Sequence, residues 1–176
     1  MHEYVASESL RKHMYAVENA MRCYAREFGE DENKWGIVGL LHDFDYERWP
    51  DAPAHPVEGS KILRKLGYPE DVVYAILSHA DYMLECPRVS RLDKALYACD
   101  ELCGFLVACA HVRPTKLAGL EPKSVRKKLK NPSFAAAVSR DDIDRGAREL
   151  GVEMDTHIGS CIKALQEIDV TLFPQC

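Results

Sequence analysis

The chain has no Cys-x-x-Cys, no apolar run near the roughly 20 residues that span a bilayer, and no useful length of strand-like alternation. These absences count against a zinc-thiolate framework, a membrane span and a β-rich fold. Positive charge is also short, with 23 Lys and Arg against 28 Asp and Glu and a net charge of −5, so no general nucleic-acid binding is expected. Met1-His2-Glu3-Tyr4 lacks a basic and then apolar leader, which makes the cytoplasm the expected location. The seven cysteines are odd in number, and Cys23, Cys99, Cys103, Cys109 and Cys161 fall in helical segments, where free thiols act as small core residues. A disulfide framework is not expected, and no internal repeat is found.

What the sequence does have is a succession of amphipathic helices. Its 176 residues, 47% hydrophobic and 29% charged, suit one globular domain with its own core. The expected fold is all-α, a compact helical bundle over residues 1–176, with a core at about 9–110 and a helical extension at about 111–176. Ser7 or Ser9 can cap a first helix that ends at Gly29 and turns His13 toward the core. Asp31-Glu32-Asn33 opens a second, running through Trp35 and Leu41 to Phe44, with His42 and Asp43 at its C-terminal end. Three prolines between Trp49 and Pro56 predict a loop holding His55. Helix three is expected over Val57–Leu66, and helix four opens at Pro69 and carries His79 inward. Leu92–Ala110 is the most apolar segment and the expected central helix, interrupted by Asp100 and Glu101, one of which needs a cation if it is buried. Helices are further expected at Leu120–Lys130, from Asp141 to near Gly151, and at Met154–Ile168.

His13, His42, Asp43 and Asp100 come from three of these helices and supply two imidazoles and two carboxylates. This mixed nitrogen and oxygen set suits a divalent metal, with Mn, Fe, Ni, Co, Zn and Mg all admissible. Such a cation lowers the pKa of bound water toward ~7 and polarises a phosphoryl oxygen, the two tasks of phosphate-ester hydrolysis. His55 and His79 are placed to hold a second metal bridged by Asp43, or to give protons or hydrogen bonds to a leaving group. Asp45 is a candidate general acid or a partner that orients a ligand histidine, which makes Asp43, Asp45 and His79 the candidates for catalysis. Lys123 to Lys130 form a basic island, read as a solvated face, while Arg113 and Lys116 are the candidate anchors for a substrate phosphate.

The order His13, His42-Asp43, Asp100 on a helical chain resembles the HD-domain superfamily of metal-dependent phosphohydrolases. Gly39-Leu40-Leu41-His42-Asp43, His55-Pro56-Val57-Glu58-Gly59, Ile76-Leu77-Ser78-His79 and Ala98-Cys99-Asp100-Glu101 carry the resemblance, which covers about Ser9 to Phe105. It implies His13, His42, Asp43 and Asp100 as core metal ligands and His55 with His79 as second-metal or substrate residues. The tail from His111 is similar to that of small bacterial hydrolases of this superfamily. Two-metal branches such as cyclic-dinucleotide phosphodiesterases have Gly-Lys after the His-Asp pair and two adjacent histidines near His79. Here Asp45-Tyr46 and Ala80-Asp81 stand instead, so that activity is not expected.

The expected function is therefore hydrolysis of a small phosphate ester, a nucleotide or a related monoester or diester, with a small phosphorylated substrate as partner and homo-oligomerisation left open. Two alternatives stand beside it: di-iron oxygenase chemistry on the same scaffold, and a non-catalytic module that binds metal and nucleotide.

Overall fold

The first helix starts where Ser7 Oγ accepts the Leu10 N–H at 3.2 Å and stops where Gly29 takes the left-handed conformation at φ 70°. This α1 (Glu8–Phe28) is followed by α2 (Glu32–Leu41), whose free N–H groups at Asn33 and Lys34 are taken by the Asp31 carboxylate. The computed structural model describes residues 1–174, and the regular secondary structure among them is entirely helical. After α2 come α3 (Ala54–Lys65), α4 (Glu70–Ser78), α5 (Arg91–His111), α6 (Pro122–Leu129), α7 (Arg140–Leu150), α8 (Met154–Glu167) and α9 (Asp169–Leu172).

The most apolar segment becomes the central helix. A capping box between Ser90 and Asp93 fixes the start of α5, and Leu96, Cys99, Leu102, Cys103, Phe105 and Leu106 along it are fully buried. The helix packs against α1, α2, α4, α6, α7 and α8. Two glycines set the closest helix approaches. A Cβ on Gly39 would stand 2.8 Å from Glu18 Cα, and one on Gly146 would stand 2.7 Å from Ala98 Cα. Glycine is thus required for α2 to lie on α1 and for α7 to lie on α5, and these contacts bring His42 toward His13 and α7 alongside Asp100.

The second and fourth helices end earlier than periodicity predicts. The α2 ladder stops at Leu41, and residues 42–48 continue in tight turns such as Tyr46 N–H to Asp43 O at 3.0 Å and Arg48 N–H to Asp45 O at 3.0 Å. His42 and His79 are thereby the C-caps of α2 and α4. At α3, His55 and Pro56 are non-helical, so the regular turns begin at Val57 and His55 projects from the prolyl entry segment. The six described cysteines are all free thiols, and five are buried. No helix among the described residues is long and apolar enough to cross a membrane.

Candidate metal centre

Helix C-termini leave backbone carbonyls without partners, and the chain uses two of them to orient imidazoles. His42 Nδ1 lies 2.8 Å from Gly39 O and His79 Nδ1 lies 2.5 Å from Ile76 O, each three residues back along its own helix. A carbonyl oxygen only accepts, so Nδ1 carries the hydrogen in both rings and Nε2 presents a lone pair. His55 is fixed in the same sense by a side chain, its Nδ1–H donating to Asp45 Oδ1 at 2.8 Å. Three rings from three parts of the chain are thus held in one tautomer, with Nε2 directed at Asp43 or Asp100.

The distances define two trios that share a neighbour. His13 Nε2 lies 3.1 Å from His42 Nε2 and 3.0 Å from Asp100 Oδ1, and His42 Nε2 lies 3.4 Å from Asp100 Oδ1. Asp43 stands between the trios: Oδ2 faces His42 at 3.4 Å and His13 at 3.7 Å, while Oδ1 faces His55 at 3.3 Å and His79 at 3.5 Å. The sets His13, His42, Asp100 and Asp43, His55, His79 each could hold an ion.

Ligand chemistry supports the fit. Two donors each about 2.1 Å from one ion stand roughly 3.0 Å apart in an octahedral shell and roughly 3.4 Å apart in a tetrahedral one. The spacings among His13, His42 and Asp100 and the His42–Asp43 and His55–Asp43 spacings fall in that range, while His79–Asp43 at 3.5 Å and His13–Asp43 at 3.7 Å lie slightly beyond it. Moreover, an imidazole lone pair cannot hydrogen-bond to a carboxylate oxygen, so a proton or a metal ion has to lie between them. Burial opposes charge on His42, yet Asp43 and Asp100 pull its pKa well above the ordinary value. Burial likewise opposes ionisation of Asp43 and Asp100, but the facing imidazoles hold both well below the usual carboxylate range. His55 is raised to about 9, because its bonds to Asp43 and Asp45 outweigh its burial. The cluster therefore demands positive charge, which divalent ions supply without requiring protonated rings.

Asp45 is 1% exposed and accepts at both oxygens, from His55 and from the Gly59 N–H at 2.8 Å. A Cβ on Gly59 would come within 2.6 Å of the Asp45 carboxyl, which explains the glycine in the His55–Gly59 stretch. Asp45 is thus a positioning residue for His55. It does not border the cleft above the cluster.

That cleft, about 380 Å³, is floored by His55, His79 and Asp100. Tyr46, Tyr82 and Tyr97 border it, with Tyr82 Oη donating to His55 O at 2.6 Å. Glu101 also borders it, its pKa pushed up to about 7 by burial and by Asp100 beside it. Asp142, from α7, completes the wall. Sequence reading did not single out Tyr97, Asp142 or Arg145. Spacing alone gave no signal for the α7 residues, because Asp142 reaches the cleft, and Arg145 stands behind it on Asp81 and Asp142, only through the Gly146 contact with α5. The isolated glycine amid the charges of α7 was the available hint.

The two expected phosphate anchors are not brought here. Arg113 and Lys116 follow the C-terminus of α5, and the helix rises about 16 Å from Asp100 to His111. Arg113 donates to Lys116 O, Thr115 Oγ1 and Ala118 O, so its guanidinium holds its own loop together. Lys116, at φ 48°, borders a separate cavity beside His111 and Phe173.

Comparison with known proteins identifies the family. Ribonuclease Y of Oleidesulfovibrio alaskensis is 30% identical over 99 residues, which is 56% of this chain and 18% of that protein. The chain thus corresponds to less than a fifth of that relative's length. No solved structure gives a significant match. The HD domain family matches residues 10–104, more than half of the chain and a span that contains all six clustered residues. The chain accordingly belongs to the HD-domain family, a superfamily of metal-dependent phosphohydrolases.

Proposed function

We propose that the protein hydrolyses a small phosphate ester at a pair of divalent metal ions, and that residues 1–176 form one HD-type unit in which α6–α9 extend a core of about residues 9–110. The observation that carries this reading is the placement of the Asp43 carboxylate, one oxygen toward His13 and His42 and the other toward His55 and His79. In this reading His13, His42 and Asp100 would hold one ion and His55 and His79 the other, with Asp43 available to both. Ions bound there would supply Lewis acidity toward a phosphoryl oxygen and a water.

The chain's own residues do the positioning. Gly39 O and Ile76 O aim two imidazoles and Asp45 aims a third, so the ligand set is arranged before substrate arrives. His79 is assigned as a ligand and not as a proton donor, since its Nδ1–H is committed to Ile76 O and Nε2 faces Asp43. The cleft over the cluster admits a molecule of nucleotide or sugar-phosphate size.

The name of the relative favours a second reading, cleavage of RNA. The net charge of −5 and the carboxyl groups bordering the cleft weigh against it, because polynucleotide binding rests on cations. The test is phosphate release from nucleotides, sugar phosphates and generic esters, and strand cleavage of a ribo-oligonucleotide, with Mn, Co, Ni, Fe, Zn or Mg. Activity with small esters that is lost in His42→Ala and Asp43→Ala is the expected result. Turnover that survives either substitution overturns the assignment, and iron-dependent oxygen consumption without phosphate release would replace it with an oxygenase.

A further inference from the structure

The wall of the cleft is unusual for a site that receives phosphate. No Lys or Arg is among the residues bordering it, whereas Asp81, Glu101 and Asp142 contribute carboxyl groups and Tyr46, Tyr82 and Tyr97 contribute rings. The nearby guanidinium groups are already spent. Arg145 binds Asp81, Asp142 and Tyr97 Oη, and Arg88 binds Asp81 at 3.0 Å and Glu149 at 2.8 Å. Tyr97 Oη lies 2.9 Å from Asp142 and ties α5 to α7. This wall is therefore rigidly built and acidic, and its α7 part lies beyond the segment that matches the family.

Charge accounting gives this a consequence for substrate choice. Two divalent ions with Asp43 and Asp100 leave a surplus of two positive charges, enough for one phosphoryl dianion. Any further phosphate would project from that surplus onto carboxyl groups whose neighbouring guanidinium groups, Arg145 and Arg88, are already paired with them. Tyr46 and Tyr82, both nearly half exposed, offer ring faces at the opening, and carboxylates and tyrosyl oxygens accept hydrogen bonds from hydroxyl groups.

Resting on the two-ion reading above, we propose that this cleft selects esters with a single phosphoryl group on an uncharged, hydroxyl-bearing remainder such as a nucleoside or sugar. The Asp142–Arg145–Asp81 wall, anchored by α7, sets that selectivity by rejecting polyphosphates and polynucleotides.

The experiment compares kcat/KM for adenosine 5′-monophosphate, adenosine 5′-triphosphate and a 5′-phosphorylated ribo-oligonucleotide on the metal-loaded full chain. Calorimetric Kd values for non-hydrolysable phosphonate analogues of the two nucleotides give a readout independent of turnover. The monophosphate is expected to lead by about ten-fold or more in both measurements, with the lead growing at low salt. Asp142→Asn keeps the shape, removes one carboxylate and loosens the hold on Arg145, so it should narrow the lead by about three-fold or more. Asp81→Asn should act in the same direction and carries the test if Asp142→Asn does not fold. Equal or better use of the triphosphate or the oligonucleotide, or a ratio unmoved in both variants, overturns the proposal. Binding in the expected order without hydrolysis of any substrate would support the selectivity while sinking the phosphohydrolase reading.

Discussion

Two histidines that meet α5, His42 at Asp100 and His157 at Ala98, are equally buried at 0% exposure, yet their surroundings differ in one decisive respect. His157 is complete. Its Nε2–H donates to Ala98 O at 2.9 Å, and its Nδ1 accepts from Tyr24 Oη at 2.6 Å. His42 is not complete, because Nδ1–H is satisfied by Gly39 O while Nε2 meets another imidazole and two carboxylates. Burial and residue type are the same in both. What separates a packed histidine from a ligand histidine is whether a cation is still required after every hydrogen bond has been assigned.

The sharpest way to break this comparison is to remove each ring. His42→Ala should lower kcat/KM by more than about 10³-fold and reduce bound metal while leaving helical content intact. His157→Phe should instead keep the metal content and cost about 1–3 kcal/mol in denaturant unfolding, since it strands Tyr24 Oη, while Ala98 O keeps its bond within α5. The opposite pattern would contradict the distinction. Next in size, Asp45→Asn should weaken metal binding by about 10–100-fold in a competition titration, because an amide cannot accept from both His55 and the Gly59 N–H.

Acidity offers a third test, with opposite signs in the two states of the centre. In metal-depleted protein His55 has a folded pKa of about 9, above its ordinary value, so its stabilising contribution is complete below about pH 6.5 and is lost as pH rises through 9. Metal binding competes with the same protons and should strengthen as pH rises over that window. Melting temperatures of depleted and loaded protein should therefore diverge with increasing pH, and parallel curves would count against the shared site. The smallest effect is expected at Arg113→Ala, less than about two-fold on kcat/KM, since that side chain serves its own loop.

Much of this was legible in the chain itself. The all-α fold followed from three- and four-residue periodicity with Ser7, Asp31 and Gly29 as punctuation, and all six clustered residues were named: His13 and His79 from inward-facing positions, Asp100 from the apolar helix around it, His42 and Asp43 from a helix end, and His55 from the proline-rich loop, with the family resemblance joining them. The bridging place of Asp43 was named as one of two options for His55 and His79; what was not legible is which oxygen faces which trio, because that depends on α2 ending at Leu41 and on the turns that follow. Nor did charge alone place Arg113: a cation near a helix end looks available until its partners, here backbone carbonyls of its own loop, are seen. The acidic wall escaped notice because Asp81 and Asp142 lie 61 residues apart in sequence and meet only across Arg145 and Tyr97.

The most direct measurement is metal analysis of untagged protein with a parallel calorimetric titration of Mn or Zn into depleted protein. The account predicts about two ions per chain, falling to one or fewer in His42→Ala and in His79→Ala, with His157→Phe unchanged. Protein that binds no divalent ion, or binds it equally well after both ligand substitutions, would contradict the central claim that these six side chains converge to hold metal.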